Sequence, residues 1–290
     1  MSLKFLFIFN SILCWTIVIN NVANCPIPGS ALRFAILAGS TVSSTGLTNV
    51  TGDLGISPSV ALTGFSQIPG ANTGFLNGSS HLGDETASKA KSDVKTAYHL
   101  AAGFAMTRRM TGVDIAGQIL APGVYKFDSD AALKAPNGNL TLTGPGIYVF
   151  QIGSTLITSG GSQILLVNGA TAGCVYWQVG SSATLGINSQ FVGIIMAQAS
   201  IGFDTNASLL GSAFALDAAV TLNSNRINVQ PACKYITKFF FVITSLFVSM
   251  FGVLGTILTA PECHSLSASS TMLISQTASA VEIVFKVRIV

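Results

Sequence analysis

Ile147-Tyr148-Val149-Phe150-Gln151, then Thr155-Leu156-Ile157-Thr158, then Ile164-Leu165-Leu166: these three short runs decide the fold. The first is almost wholly apolar, the second is small and alternating, and the third closes the round. Working outward, the same three kinds recur in the same order through residues 117–228. The first kind returns as Gly123-Val124-Tyr125-Lys126-Phe127, Val175-Tyr176-Trp177-Gln178, Ile194-Ile195-Met196-Ala197 and Ala213-Phe214-Ala215-Leu216. The second returns as Asp130-Ala131-Ala132-Leu133, Ser182-Ala183-Thr184-Leu185, Ser200-Ile201-Gly202-Phe203 and Ala219-Val220-Thr221-Leu222. The third returns as Leu140-Thr141-Leu142, Phe191-Val192-Gly193, Ser208-Leu209-Leu210 and Arg226-Ile227-Asn228. Phe150, Trp177, Met196 and Ala215 mark spacings of 27, 19 and 19 residues. Self-similarity at roughly 20-residue spacing, with Gly and Asn between short strands, is the mark of a solenoid.

Composition agrees. Charged residues are only 9% of the 290-residue chain and glycine numbers 29, which excludes a coiled coil and argues against disorder. Short apolar runs punctuated by Gly, Asn and Ser favour an all-β chain. The net charge of +3 is weak and no Lys/Arg stripe forms, so nucleic acid is not an expected partner.

The two ends differ from the middle. Residues 1–23 have the form of a secretory signal, with Lys4 followed by an apolar run and then small residues. Secretion permits disulfides. Cys14 leaves with the signal, and Cys25, Cys174, Cys233 and Cys263 remain. Cys25 and Cys233 bracket the repeats, so a clasp between the ends and free or buried thiols are both open. Four Asn-x-Ser/Thr acceptors, Asn49, Asn77, Asn139 and Asn206, are glycosylation candidates that fit a secreted chain.

Between the ends, Phe34-Ala35-Ile36-Leu37-Ala38, Gly39-Ser40-Thr41-Val42-Ser43 and Val50-Thr51-Gly52-Asp53-Leu54-Gly55-Ile56 read as one early coil, followed by a loop over residues 58–80. From Asp84 to about Met106, Ala87, Ala90, Val94, Ala97, Tyr98 and Ala101 fall at three- and four-residue spacing. That predicts an amphipathic helix with a small-residue face, able to lie close along a sheet. Asp84 is its expected N-cap.

The motifs Phe34-Ala-Ile-Leu-Ala-Gly, Thr51-Gly-Asp-Leu-Gly-Ile-Ser-Pro58, Leu120-Ala-Pro-Gly-Val-Tyr-Lys-Phe127, Tyr148-Val-Phe-Gln-Ile-Gly-Ser154, Val175-Tyr-Trp-Gln-Val-Gly-Ser-Ser182 and Ala219-Val-Thr-Leu-Asn-Ser-Asn225 stand in one order. With them, residues 31–229 resemble the secreted ice-binding proteins of fungi, bacteria and microalgae. The resemblance implies a mainly β fold: a right-handed, discontinuous three-faced β-solenoid with one long helix alongside and the early coil stacked against later ones. It also implies ice binding, with thermal hysteresis and inhibition of ice recrystallisation. One departure is Gly211-Ser212-Ala213, where the family carries Gly-Arg-Ala, so a structural salt bridge is expected to be missing.

Successive side chains of a strand face opposite sides. In the second kind of strand, Val42, Leu133, Leu156, Leu185, Ile201, Val220 and Leu222 should point inward. Thr41, Ser43, Ala132, Thr155, Ile157, Ser182, Thr184, Ser200, Gly202, Ala219 and Thr221 then point outward as the candidate ice-binding set. Stacked coils sit about 4.8 Å apart, so that set makes a flat grid of hydroxyls, methyls and bare backbone. Without the resemblance, plain β-propensity on a solvent face is the favoured reading of each Thr and Ser; with it, this is the face chosen for ice. Ala132, Ile157 and Gly202 interrupt the Thr and Ser, so moderate activity is expected. Ser189, Asn206 and Ser208 on the third kind of strand are the next candidates.

No catalytic group, metal site or cofactor is expected. His81, His99 and His264 are scattered, and the carboxylates are isolated; Asp53 reads as a turn tie. A cell-surface adhesin or cell-wall module is the competing reading. After Pro231 the character changes. Residues 239–259 carry no charge and no proline and are long enough to span a bilayer. The expected organisation is a signal over 1–23, a solenoid over 24–232 with a helix at about 84–106, and an apolar tail over 233–290. That tail is either a membrane anchor or a non-native extension. A secreted monomer follows, anchored to the membrane only if 239–259 is a true span.

Overall fold

The computed structural model describes residues 2–7, 26, 28–66, 73–134, 138–233, 269–277 and 280–288. Two compact units form. One contains Cys25–Tyr235; the other contains residues 1–24 and 236–290. In the second, Ala280–Arg288 pairs antiparallel with both Ser2–Phe7 and Ser269–Thr277. The apolar run 239–259, most of the N-terminal signal and Cys25 lie outside the described residues. No helix among the described residues is long and apolar enough to cross a membrane.

The first unit is the expected solenoid, and every strand pairing in it is parallel. Its coils have three faces. The first face contains Arg108–Arg109, Gly123–Phe127, Tyr148–Ile152 and Val175–Val179. It continues through the second halves of Gln190–Ala197 and Ser208–Ala215, then Phe34–Ala38, Asp53–Ile56 and Ser80–Leu82. The second face is a separate seven-stranded sheet: Ala131–Leu133, Leu156–Thr158, Ala183–Leu185, Ile201–Phe203, Val220–Asn223, Thr41–Thr45 and Ala61–Thr63. The third face contains Ile119–Leu120, Asn139–Thr143, Gln163–Val167, the first halves of Gln190–Ala197 and Ser208–Ala215, Arg226–Asn228, Asn49–Thr51 and Gly74–Asn77. Phe34–Ala38 joins Ala213–Ala215 on one side and Leu54–Ile56 on the other, so the early coil is stacked on the last one.

Three expectations need correction. The register pairs Trp177 with Ile195 and Ile195 with Ala213, a spacing of 18 residues on the first face, not 19. Met196 and Ala215 therefore sit out of register with Trp177; the extra residue enters only at the next corner, where Ile201 pairs with Val220. The expected loop over 58–80 holds strands Ala61–Thr63, Phe65–Ser66 and Gly74–Asn77, so two coils precede the helix. The run Val50–Ile56 is not one strand. It breaks at Gly52, whose φ of 122° turns the chain from the third face to the first. Few side-chain-bearing residues adopt that conformation.

The helix, α1, spans Glu85–Ala102 and ends earlier than Met106. Asp84 caps it, its carboxylate accepting from the Ala87 amide at 2.8 Å. Ala87, Ala90, Val94, Ala97, Tyr98 and Ala101 are buried against Phe34, Leu37, Val149, Tyr176, Met196 and Phe214 of the first face. Burial on both sides explains why first-face strands are apolar at consecutive positions. The exceptions have partners: buried Gln151 donates its Nε2 to the Ala101 and Phe104 carbonyls, closing the C-terminal end of α1.

Inside the coils, Tyr125, Phe150, Trp177 and Phe191 form an aromatic stack. Phe150 and Trp177 lie 3.9 Å apart and nearly parallel. The Trp177 Nε1 donates to the Val192 carbonyl at 2.9 Å. Cys174 pairs with Cys233, not Cys25 with Cys233, and closes a 59-residue separation. Loop-closure entropy of that size is worth about 4 kcal/mol. Ser212 is buried and donates to the Phe34 carbonyl at 2.8 Å, so a neutral hydroxyl joins the late coil to the early one.

Candidate functional site

The second face places the predicted outward residues in two rows across parallel strands. The central row runs Ala132, Ile157, Thr184, Gly202, Thr221 and Ser43, and it continues to Thr63. Beside it stand Thr155, Ser182, Ser200, Ala219 and Thr41, continuing to Ala61. Backbone amides of the next residue bond from each coil to its neighbour, as in Leu156 to the Ser182 carbonyl and Ala183 to the Ser200 carbonyl. The predicted inward set, Val42, Leu133, Leu156, Leu185, Ile201, Val220 and Leu222, is buried throughout. Alternation alone therefore identified the inward set, because one side of the sheet meets the core and the other meets water.

The rows differ in exposure. Ile157 is 48% exposed, Thr184, Thr221 and Thr63 are exposed, and Ser43 and Gly202 are half-buried. Thr155, Ser182, Ser200, Ala219 and Thr41 are half-buried beside a corner. Ala132 departs from the rest: it is only 7% exposed, and its carbonyl accepts from the Ile115 amide at the end of the sheet. The exposed grid begins at Ile157. Thr63 and Ala61 were missed because the run Ala61-Leu62-Thr63 is short and sits in a Gly-, Ser- and Asn-rich stretch; its alternation was the available signal.

Among the described residues, the hydroxyls of Ser43, Thr63, Thr155, Thr184 and Thr221 bond to no protein group and are left for water. The grid is rigid beneath because its strands share ladders with both neighbours and close on the aromatic core. No long side chain stands in the central row. Charges lie at the margins: Asp130 at the end strand, Asp204 on the outer border, and Asp217, which accepts from Gln198, at the corner. Gly202 is an open notch. A Cβ there would meet only the Thr221 Oγ1, at 3.5 Å.

The next candidates divide. Ser189 is 1% exposed and belongs to the interior, whereas Ser208 is half-buried and Asn206 is exposed. Asn188, Asn206 and Ser224 occupy left-handed turns between the second and third faces, stacked coil on coil. Asn225 seals this corner from inside, donating to the carbonyls of Asp204 and Ala207. The third face presents longer groups: Asn139, Gln163, Gln190, Ser208, Arg226 and Asn49 share one row.

Asp53 accepts from the Ser79 amide at 2.9 Å and pairs with Arg33, which ties the early coil to the end of the solenoid. His81 completes that knot, contacting Arg33 and the carboxylate of Asp84 at 2.8 Å. The Ala87 amide, then His81, hold the Asp84 carboxyl below its ordinary range. Among the described residues, no three His, Cys, Asp or Glu groups are placed to hold a metal.

This parallel face of small outward residues can be set beside relatives. An ice-binding protein of Nostoc sp. (strain HG1) is 42% identical over 205 residues, covering 69% of this chain and 72% of that protein. The crystal structure of an ice binding protein from an Antarctic biological consortium shares the fold with a TM-score of 0.65 at 39% identity. The match covers 75% of this chain and 96% of that one. An ice-binding protein from the Antarctic ascomycete Antarctomyces psychrotrophicus gives a TM-score of 0.65 at 36% identity, covering 71% and 98%. The model of the ice-binding-like family matches residues 36–228, the span from the early coil on the first face to the last strand of the third. The chain belongs to the ice-binding-like family.

Proposed function

We propose that this protein adsorbs to ice through the second face of its solenoid, producing moderate thermal hysteresis and inhibiting ice recrystallisation. The observation that carries this is the outward row Ile157, Thr184, Gly202, Thr221, Ser43 and Thr63, one short group per coil on a parallel sheet. Thr155, Ser182, Ser200, Ala219 and Thr41 flank it, and Ala132 contributes little because it is covered.

Ice is a lattice of donors and acceptors with no charge to recognise. A surface that fits it must hold water at fixed positions without the mobile hydration shell of long charged groups. Parallel strands about 4.8 Å apart supply a regular repeat, and methyl groups beside free hydroxyls supply both apolar spacing and anchors. Rigidity means little entropy is lost on binding. The interruptions at Ile157 and Gly202 favour moderate activity. Nothing about the face calls for a reaction, and we assign the protein no catalytic role.

The same reading takes residues 1–23 as a cleaved secretory signal and the solenoid as a secreted monomer working outside the cell. The disulfide Cys174–Cys233 supports an oxidising compartment. The tail 239–259 remains either an anchor or an extension foreign to the mature protein, and peptides from it in protein isolated from cells decide between them.

The test is nanolitre osmometry on the purified unit Cys25–Tyr235 beside a Thr184→Tyr variant. Crystal shaping and a freezing gap in the first, lost in a folded variant, support the second face. A gap that survives in the variant moves the site to another face. No gap and no recrystallisation inhibition in either sinks ice binding and favours the adhesin reading.

A further inference from the structure

All four Asn-x-Ser/Thr acceptors fall on the third face or on the corner that leads into it. Asn49 and Asn139 occupy the same outward row of that face. Asn77 pairs with Thr51 on the neighbouring strand, and Asn206 stands in the left-handed corner turn before Ser208–Ala215. In a strand, residues two apart share a side. Asn49 with Thr51, and Asn139 with Thr141, therefore both turn outward together. The second face holds no acceptor.

The four acceptor side chains are also accessible. Asn49, Asn77, Asn139 and Asn206 are exposed, and among the described residues their amides bond to no protein group. Asn168, Asn223 and Asn225 begin no acceptor triplet, and each uses its Nδ2 to hold a turn: on Thr143, on Thr205, and on the Asp204 and Ala207 carbonyls. Transfer needs an exposed, unbonded amide nitrogen, and all four acceptors present one; Asn188, which begins no acceptor triplet, is exposed and unbonded as well. Between Asn206 and Asn49 runs a shallow groove lined by Leu47 and by Asn188, Gln190 and Arg226, the last three polar groups suited to the hydroxyls of a first sugar.

We infer that the third face is an N-glycosylated face, carrying oligosaccharides on Asn49, Asn77, Asn139 and Asn206, and that this sugar layer leaves the second face bare. The second half of the inference rests on the ice-binding reading. In the transfer, each Asn Nδ2 bonds to the anomeric carbon of a polyprenyl-diphosphate-linked oligosaccharide. The bond from that carbon to the phosphate oxygen breaks, the polyprenyl diphosphate leaves, and the amide gives up one proton. The consequence is directional. A bulky hydrated layer on one face and none on another lets the protein lie on ice in only one sense.

The experiment expresses the full chain behind a yeast secretion leader and reads glycopeptides from total cell and medium protein by mass spectrometry. The expected result is glycan on the third-face asparagines, each removed by its own Asn→Gln change, with thermal hysteresis unchanged after enzymatic deglycosylation. A companion variant, Ser43→Asn, creates Asn-Ser-Thr on the second face; glycan there should reduce hysteresis to the buffer level. Absence of glycan from all four native sites overturns the inference, whether or not Ser43→Asn is modified. Loss of hysteresis caused by the native third-face glycans overturns the division between faces. Glycan on Ser43→Asn with hysteresis intact overturns the second-face reading and leaves third-face glycosylation standing.

Discussion

The second and third faces are made by the same coils, with the same parallel ladders and the same inward–outward alternation, yet they offer water different surfaces. Across the second face the outward row runs Ile157, Thr184, Gly202, Thr221 and Ser43. Across the third it runs Asn139, Gln163, Gln190, Ser208, Arg226 and Asn49. A neighbouring third-face row adds Ile119, Leu165 and Leu210, with Val192 sunk between them at 4% exposure, so its relief is uneven. A scaffold repeat sets where groups stand. The length and mobility of the groups decide whether a lattice of water can fit over them.

The comparison breaks most sharply at Thr184. Thr184→Tyr puts a ring above the centre of the row and should abolish thermal hysteresis, with circular dichroism unchanged. The matching intruder on the third face, Gln190→Tyr, should leave the freezing gap within error. Equal losses in both variants would mean that neither face is special.

Next in size is the core the faces share. Trp177→Ala removes the middle of the Phe150–Trp177–Phe191 stack and the bond to the Val192 carbonyl, and should cost about 3–5 kcal/mol in urea denaturation. Activity should then fall because the rigid backing is lost while the surface residues are unchanged.

Gly202→Thr sharpens the comparison in the other direction. Space is open above Gly202, and its φ is outside the left-handed region, so the added side chain completes a Thr184–Thr221 ladder. Hysteresis should rise about twofold at equal concentration, an increase on the order of 0.4 kcal/mol per adsorbed molecule.

A smaller effect belongs to the first face, which meets the helix. The Tyr176 hydroxyl is buried without a hydrogen-bond partner among the described residues, and burial pushes its pKa up. Tyr176→Phe should stabilise the protein by about 1 kcal/mol without changing ice activity. The least effect is that of acid on α1. The Asp84 carboxyl is held low in the folded state by the Ala87 amide and by His81, so its capping is complete above the ordinary value of 3.8 and lost as the pH falls through the depressed one. Melting temperature should drop only below about pH 4, and hysteresis should stay flat from about pH 5 to about pH 9.

Leu156, Ile157 and Thr158 alternate, and their inside and outside followed from period alone. The helix was legible from Ala87, Ala90, Val94 and Ala97, and its cap from Asp84. Ala132 was not: a small residue at an outward position reads the same whether the sheet end is open or covered. Nor was the partner of Cys233, since Cys25 and Cys174 are equally eligible by composition and only stacking brings Cys174 beside it. The 18-residue register at Trp177, Ile195 and Ala213 was hidden because neighbouring apolar residues on a doubly buried strand are interchangeable to the eye.

The repeat, the three kinds of strand, the helix with its alanine face and the row of short groups can all be read from the order of amino acids. Each is a local pattern, set by alternation, spacing and side-chain size over a few residues. It took the folded chain to show that Phe34–Ala38 stacks on Ala213–Ala215, that Ala61–Thr63 extends the second face, that Ala132 is covered and that the four glycosylation acceptors share one side. Those facts depend on which coil lies against which. Contacts between residues far apart in the chain are set by the closure of the whole core, and no local period encodes them.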